Sequence, residues 1–252
     1  MMRSHPFFIF LFFSATILFS GHSQAFKEYD FKVINASNKD QFVIKEIDRL
    51  FNAIELDDVD EIKKEEYKQY LKRNTKSKFG NSALVFAIQQ NSTKVSYYLA
   101  QTIDFDVNNE NLSGENALMM AAFVGNVKLV NFLIDVRKAN VNKDGWSPIH
   151  YAAIRGDLEI TTKLINSGAT VDALSPNEST ALMFACRYGH IRVVKLLLDK
   201  GADLSASNNQ DLTPIDFARM YNQKEIAKGL ESRWLKLYKV EYEPLVDDLP
   251  KP

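Results

Sequence analysis

A six-residue phrase recurs five times along this 252-residue chain, each time opening on a small polar residue and closing on Ala. The copies are residues 82–87, 116–121, 147–152, 180–185 and 213–218, so successive openings are 34, 31, 33 and 33 residues apart. A period near 33 residues is typical of arrays in which one supersecondary unit stacks on copies of itself. Because one helical hairpin cannot bury its apolar face alone, the repetition predicts an all-α solenoid.

Each phrase carries signals for the start of a helix. In Ser147-Pro148 and Thr213-Pro214 a hydroxyl suited to an N-cap precedes a Pro at the first helical position. Eight of the ten glycines fall at turns of the same period: Gly80, Gly114 and Gly145 before a phrase, Gly125, Gly156 and Gly189 between two helices, and Gly168 and Gly201 after the second helix. This use of glycine predicts helix-turn-helix units and leaves no glycine run for a phosphate-binding loop.

The best copies carry a family resemblance. Residues 144–153 and 213–218 resemble the Thr-Pro-Leu-His-x-Ala phrase of ankyrin repeats, and residues 189–198 and 201–206 continue the likeness in register. The resemblance covers about residues 43 to 234. It implies an ankyrin-repeat solenoid of stacked helix-turn-helix units with short hairpin loops, about five repeats and a degenerate N-terminal cap.

The period also predicts the domain limits. They are a signal peptide 1–25, a linker 26–42, an N-terminal cap 43–74, repeats 78–110, 111–142, 143–175, 176–208 and 209–234, and a C-terminal helix extension and tail 235–252. Residues 135–144 are too few for a full hairpin, so we expect a shortened loop and open space beside Trp146. We expect Trp234, Leu235, Leu237 and Tyr238 to cover the last apolar face.

The N-terminus has the features of a secretory signal peptide. Arg3 precedes an apolar run over residues 7–19, and Ser23-Gln24-Ala25 gives a small-x-small cleavage site, so the mature chain is expected to begin at Phe26. The run is short for a membrane span. Richness in Lys, Asn, Ile and Phe indicates a bacterial chain, so the expected location is periplasmic or secreted. The alternative is an uncleaved signal that anchors the chain in the inner membrane.

Composition and isolated reactive residues argue against several function classes. The formal net charge of -1 gives no basic excess for nucleic acid. The single Cys186 stands where sister copies have a buried Ala, and His150 and His190 stand at positions that tie ankyrin units together. Asp57, Asp58, Asp60 and Glu61 read as the solvated start of a helix. We therefore expect no enzyme, catalytic residue, metal or cofactor, no membrane contact after signal cleavage, and a monomer.

The resemblance implies that a protein partner binds the concave face. In ankyrin repeats this face is built from the residue before each phrase and from the two residues before the glycine that joins the helices. Transferred to this chain, the candidate protein-binding residues are Phe123, Trp146, Ile154, Arg155, Arg187, Tyr188, Met220 and Tyr221, whereas Asn81, Gln89 and Gln90 make a polar end. Trp, Tyr and Arg are enriched at interface hot spots.

The identity of the partner stays open at this stage. One alternative is an immunity or inhibitor protein for an envelope toxin or enzyme. Another is a secreted effector that targets host proteins.

Overall fold

A computed structural model describes residues 38–72, 76–77, 80–102 and 106–245. Thirteen α-helices and no β-strand lie in these ranges, which confirms the expected all-α fold. No helix in the same ranges is both long enough and apolar enough to cross a membrane. The predicted signal peptide lies outside the described residues. The chain divides into an N-terminal unit that ends at Asn116 and a C-terminal unit that begins at Ala117.

The N-terminal unit contains five helices: α1 Asn38–Glu55, α2 Val59–Ile62, α3 Glu65–Lys72, α4 Ala83–Gln89 and α5 Thr93–Gln101. α1 packs on α2, α3 and α4 and buries Leu50 and Ile54 completely. It begins at Asn38, so the last residues of the predicted linker 26–42 are helical. The limits drawn for the individual repeats stay predictions.

The acidic run is the start of a helix, as predicted. Asp58 is the N-cap of α2, and its Oδ1 accepts a hydrogen bond from the Glu61 backbone N at 2.9 Å. The Asp57 carboxylate accepts from the backbone N of Lys94 and Val95 at 3.3 and 2.9 Å, at the start of α5. These carboxylates are therefore used for capping.

The C-terminal unit contains eight helices: α6 Ala117–Val124, α7 Val127–Asp135, α8 Pro148–Arg155, α9 Leu158–Asn166, α10 Ala181–Arg187, α11 Ile191–Asp199, α12 Pro214–Met220 and α13 Lys224–Tyr238. The first helices of successive pairs pack in the order α6, α8, α10, α12, and the second helices in the order α7, α9, α11. The core between the two layers is apolar, with Leu129, Leu133, Ile149 and Leu197 fully or almost fully buried.

The residue that connects the two helices of a pair has a left-handed backbone conformation. Gly156 and Gly189 have φ of 78° and 77°, and Asn222 fills the same position in the last pair with φ 58°. A Cβ at Gly156 would collide with the His190 ring, and one at Gly189 would meet the Gln223 side chain. Glycine is required there by the next unit as well as by its own backbone. Asparagine enters the left-handed region more readily than most residues, which accounts for Asn222 at this position.

The hairpin before Trp146 is shortened, as predicted. Twelve residues, 136–147, join α7 to α8, against fourteen in 167–180 and in 200–213. The Asn142 side chain ties the short hairpin to the next one, because its Nδ2 donates to Gly168 O and its Oδ1 accepts from Thr170 N, both at 2.8 Å. Two hydrogen bonds therefore fix the short loop to the hairpin that follows it.

The C-terminal end differs from the expectation. α13 packs on α12 through Ile226, Ala227 and Leu230, which are buried. The prediction that Leu235, Leu237 and Tyr238 cover the last apolar face was wrong, since 46%, 56% and 43% of these residues is exposed. Only the first half of α13 covers the apolar face of α12. The second half extends beyond α12, because α13 is about twice as long.

A segment after α13 folds back on α12. The Tyr242 hydroxyl donates to Asp216 Oδ2 at 2.5 Å and lies 2.5 Å from Thr213 Oγ1. The Trp234 ring packs edge-on against Tyr242, with centroids 5.0 Å apart. Burial and the hydrogen bond to Asp216 raise the pKa of the Tyr242 hydroxyl. This segment therefore adds polar contacts to the pair formed by α12 and α13.

Candidate protein-binding surface

The eight predicted residues fall at equivalent places in the C-terminal unit. Seven of them lie at the C-terminal ends of the first helices α6, α8, α10 and α12, and Trp146 lies in the turn before α8. Arg155 is exposed and the other seven are half-buried. We call the set Phe123, Trp146, Ile154, Arg155, Arg187, Tyr188, Met220 and Tyr221 the candidate surface. Their binding role stays a prediction.

Four rings form one aromatic cluster: Phe123, Trp146, Tyr151 and Phe184. The Trp146 ring lies 5.2 Å from Phe184 and 5.8 Å from Tyr151, and Phe123 meets Tyr151 edge-to-face at 6.0 Å. Such offset and edge-to-face pairs are favourable beyond the apolar area that they bury. The open space expected beside Trp146 is therefore filled by two rings, which corrects the sequence reading.

A second group joins an arginine to two tyrosines: Arg187, Tyr188 and Tyr221. The Arg187 guanidinium lies 4.3 Å from the Tyr221 ring centroid and 5.5 Å from the Tyr188 centroid. Phe217 stacks on Tyr221 at 6.3 Å. Cation–π contacts of this kind hold an arginine in one orientation.

Helical spacing connects the two groups. Tyr151 and Arg155, Phe184 and Tyr188, and Phe217 and Tyr221 are each four residues apart on one helix, so each pair lies on the same side of its helix. Phe184 and Phe217 are almost fully buried. They form a floor under the more exposed members of the candidate surface.

Sequence reasoning missed Tyr151 and Phe184. Both occupy the variable position that follows the histidine of the phrase, and Phe217 occupies it in the next copy. An aromatic residue repeated there at 33-residue spacing was a signal that could have found them. Only the packed structure shows that two of these rings meet Trp146.

The end of α8 is held from both neighbouring pairs. The Arg155 side chain lies against Gly125, at the point that a Cβ there would occupy. His190 Nε2 donates to the Ile154 carbonyl at 2.9 Å. No ion pair or hydrogen bond to the Arg155 side chain forms among the residues that the structure describes. The Arg155 guanidinium therefore has no ion-pair partner within this part of the chain, and the His190 hydrogen bond holds the backbone beside it.

His150 has the structural role that was predicted. It is fully buried, its Nδ1 accepts from Ser147 N at 3.1 Å, and its Nε2 donates to Ala173 O at 2.8 Å. Burial lowers its pKa to about 4, because the charged imidazole loses its hydration. The ring is neutral near pH 7, and it ties its unit to the next hairpin.

Two further observations concern the buried cysteine and the metal-ligating side chains of the described residues. Cys186 is fully buried, and burial raises the pKa of its thiol, so the nucleophilic thiolate is disfavoured. Across the described ranges, no group of three or more His, Cys, Asp or Glu side chains is arranged to hold a metal ion.

A family model for ankyrin repeats, built on three copies, matches residues 50–144, 84–175 and 149–233. These overlapping matches cover more than half of the chain. The chain belongs to the ankyrin-repeat family. Ankyrin repeats are protein-interaction scaffolds and are typically non-enzymatic.

Individual relatives match over shorter segments. The chain is 36% identical over 86 residues to a Notch-regulated ankyrin repeat-containing protein of Xenopus laevis, which covers 31% of this chain and 74% of that protein. It is 39% identical over 82 residues to a probable E3 ubiquitin-protein ligase of Oryza sativa, 31% of this chain but 16% of the ligase. An inactive serine/threonine-protein kinase of Mus musculus is 35% identical over 85 residues, 33% of this chain and 6% of the kinase. The chain thus spans a small part of these two large relatives.

Proposed function

We propose that this chain is an exported ankyrin scaffold that binds a protein partner on the candidate surface. The observation that carries the proposal is the continuous set of rings and arginines at the ends of the first helices. The aromatic cluster and the Arg187 group lie on the same helix sides, above a buried floor of Phe184 and Phe217. Rigid, partly buried aromatic and arginine side chains lose little entropy on binding, and such residues dominate interface energetics.

The export part of the proposal rests on the sequence. A basic residue, an apolar run over residues 7–19 and Ser23-Gln24-Ala25 have the order of a signal peptide. The proposed destination is the periplasm or the exterior of a bacterial cell. The partner is then a protein of that compartment.

The exported protein is expected to begin at Phe26. Small side chains at the cleavage site fit signal peptidase, so Ala25→Arg should block cleavage. Intact-mass measurement of the wild-type protein and of this variant, purified from the exporting cell, checks both results. Full-length wild-type chain recovered in the membrane fraction would support an uncleaved anchor and contradict cleavage.

Tyr188→Ala is expected to weaken partner binding by about 2 kcal/mol or more, roughly thirtyfold in Kd, as loss of an aromatic anchor does. A photoreactive residue at the half-buried position of Met220 captures the partner in cells, and one at Lys195, exposed on α11, is the control. Titration calorimetry with the captured protein then gives the affinity.

Trp146→Ala is expected to weaken binding by a similar amount. The substitution should also lower the stability of the fold, because the indole packs on Tyr151 and Phe184. Its affinity is therefore measured well below its melting temperature. Gln89→Ala, at the polar end, is the matched control and should change affinity little. Binding that ignores Tyr188 and Trp146 but falls when Lys128 or Lys195 is changed would exclude the candidate surface.

A further inference from the structure

We propose that the partner meets the candidate surface with an acidic segment, in which an Asp or Glu carboxylate stands beside an aromatic or aliphatic side chain. The inference rests on the proposed protein-binding function and adds the chemistry of the partner. It follows from where the charged groups of the C-terminal unit lie relative to the rings.

Arg155 supplies the first argument. Its side chain is exposed, forms no ion pair within the described part of the chain, and lies against Gly125. The only other charge within two residues is Asp157, whose Oδ1 accepts from Ile160 N at 2.9 Å as the N-cap of α9. Asp157 is thus engaged as a helix cap, and the Arg155 guanidinium has no ion-pair partner among the described residues.

Arg187 supplies the second argument. Its guanidinium rests on the Tyr221 ring at 4.3 Å and near the Tyr188 ring at 5.5 Å. Stacking engages the face of a guanidinium, whereas its N–H donors lie in the plane and match the two oxygens of a carboxylate. An arginine held in this way forms a charge-assisted hydrogen bond at a small entropic cost.

Three acidic residues of the same units stand in the turns at the opposite ends of these helices. Asp144, Glu178 and Asp211 are exposed in the turns before α8, α10 and α12. A helix of seven or eight residues is about 11 Å long, so these carboxylates are about that far from the helix ends that carry Arg155 and Arg187. A partner carboxylate is therefore repelled near the N-terminal ends of these helices and attracted to the C-terminal ends that carry the arginines.

Rings fill the space between the two charged ends. The half-buried Tyr151 lies one helical turn before Arg155 on α8, and the half-buried Trp146 packs beside it at 5.8 Å. A carboxylate paired with the arginines therefore has its neighbouring side chain over an apolar surface. This arrangement favours an acidic–apolar pair over a run of acidic residues alone.

The test uses a random peptide library on phage, panned against the immobilised full-length chain. Enriched peptides are expected to share an Asp or Glu next to an aromatic or aliphatic residue. Synthetic copies should bind the Arg155→Glu/Arg187→Glu variant at least about tenfold more weakly. The control is Arg192→Glu, an exposed arginine on α11, which should change affinity less than about twofold.

A charge swap completes the design. Replacing the peptide's Asp or Glu by Lys should abolish binding to the wild type and restore it to the double variant. If the double variant unfolds at too low a temperature for binding measurements, Arg155→Glu alone is used in its place. Peptides that lose affinity with Tyr188→Ala but ignore both arginines overturn the acidic partner and leave the proposed function intact. Peptides that respond to Arg192→Glu and to no first-helix variant overturn both, and a selection that enriches no peptide overturns the inference.

Discussion

A chain that ends at Gln223, before α13, is expected to lose its cooperative unfolding transition and to aggregate. α13 buries Ile226, Ala227 and Leu230 on the last unit, and each large apolar side chain that is lost from a core costs about 1.5–3 kcal/mol. The truncation also uncovers the apolar side of α12, where Ile215 and Phe217 are now buried. Terminal units with a polar outer face are needed to keep such arrays soluble. Circular dichroism melting and light scattering measure both effects.

A chain that ends at Tyr238 is the matched control. It keeps α13 and removes only the segment whose Tyr242 hydroxyl binds Asp216 and Thr213. We expect it to stay monomeric and to lose about 1–2 kcal/mol of unfolding free energy, because Asp216 loses one hydrogen bond in a buried place. If the chain ending at Gln223 melted at the temperature of the full chain, the capping role of α13 would be refuted.

Acid is expected to destabilise the protein through His150. Its pKa is about 4 in the folded state, against the ordinary value of 6.5, so the unfolded state binds a proton more readily between these values. The free energy of unfolding therefore falls as the pH falls below 6.5 and stops falling near pH 4. A shift of this size corresponds to about 3 kcal/mol.

His150→Met isolates this contribution, since Met183 occupies the same position in the next copy of the phrase. Urea unfolding at several pH values between 7 and 4 compares the two proteins. Between pH 7 and pH 4, the free energy of unfolding of the variant should fall by about 3 kcal/mol less than that of the wild type. This difference does not depend on the stability of the variant at pH 7. Parallel curves for the two proteins would show that His150 is not buried as a neutral ring.

Much of the fold could be predicted from the sequence because its signals are local. Helix caps, the left-handed joints at Gly156 and Gly189, and the buried positions of His150 and Cys186 depend on residues close in the chain, and the period copies them. The departures at the ends of the array were harder to predict. The early start of α1 at Asn38 and the return of Tyr242 follow no repeat, so no sister copy indicates them.

The candidate surface likewise has features that the sequence could predict and features that it could not. The positions of Arg155, Arg187 and Tyr188 at the ends of the first helices follow from the repeat period alone. The sequence could not show that Trp146 packs on Tyr151 and Phe184, nor that Arg187 rests on Tyr221.

The family, the helical units and the residues that share a helix end could therefore all be inferred from the sequence. The packed structure was needed to show which rings meet, which arginine has no ion-pair partner among the described residues, and how α13 covers α12. The reason is that caps and turns are contacts between near neighbours, whereas ring packing joins residues about one repeat apart and depends on the rotamers that the packed units allow.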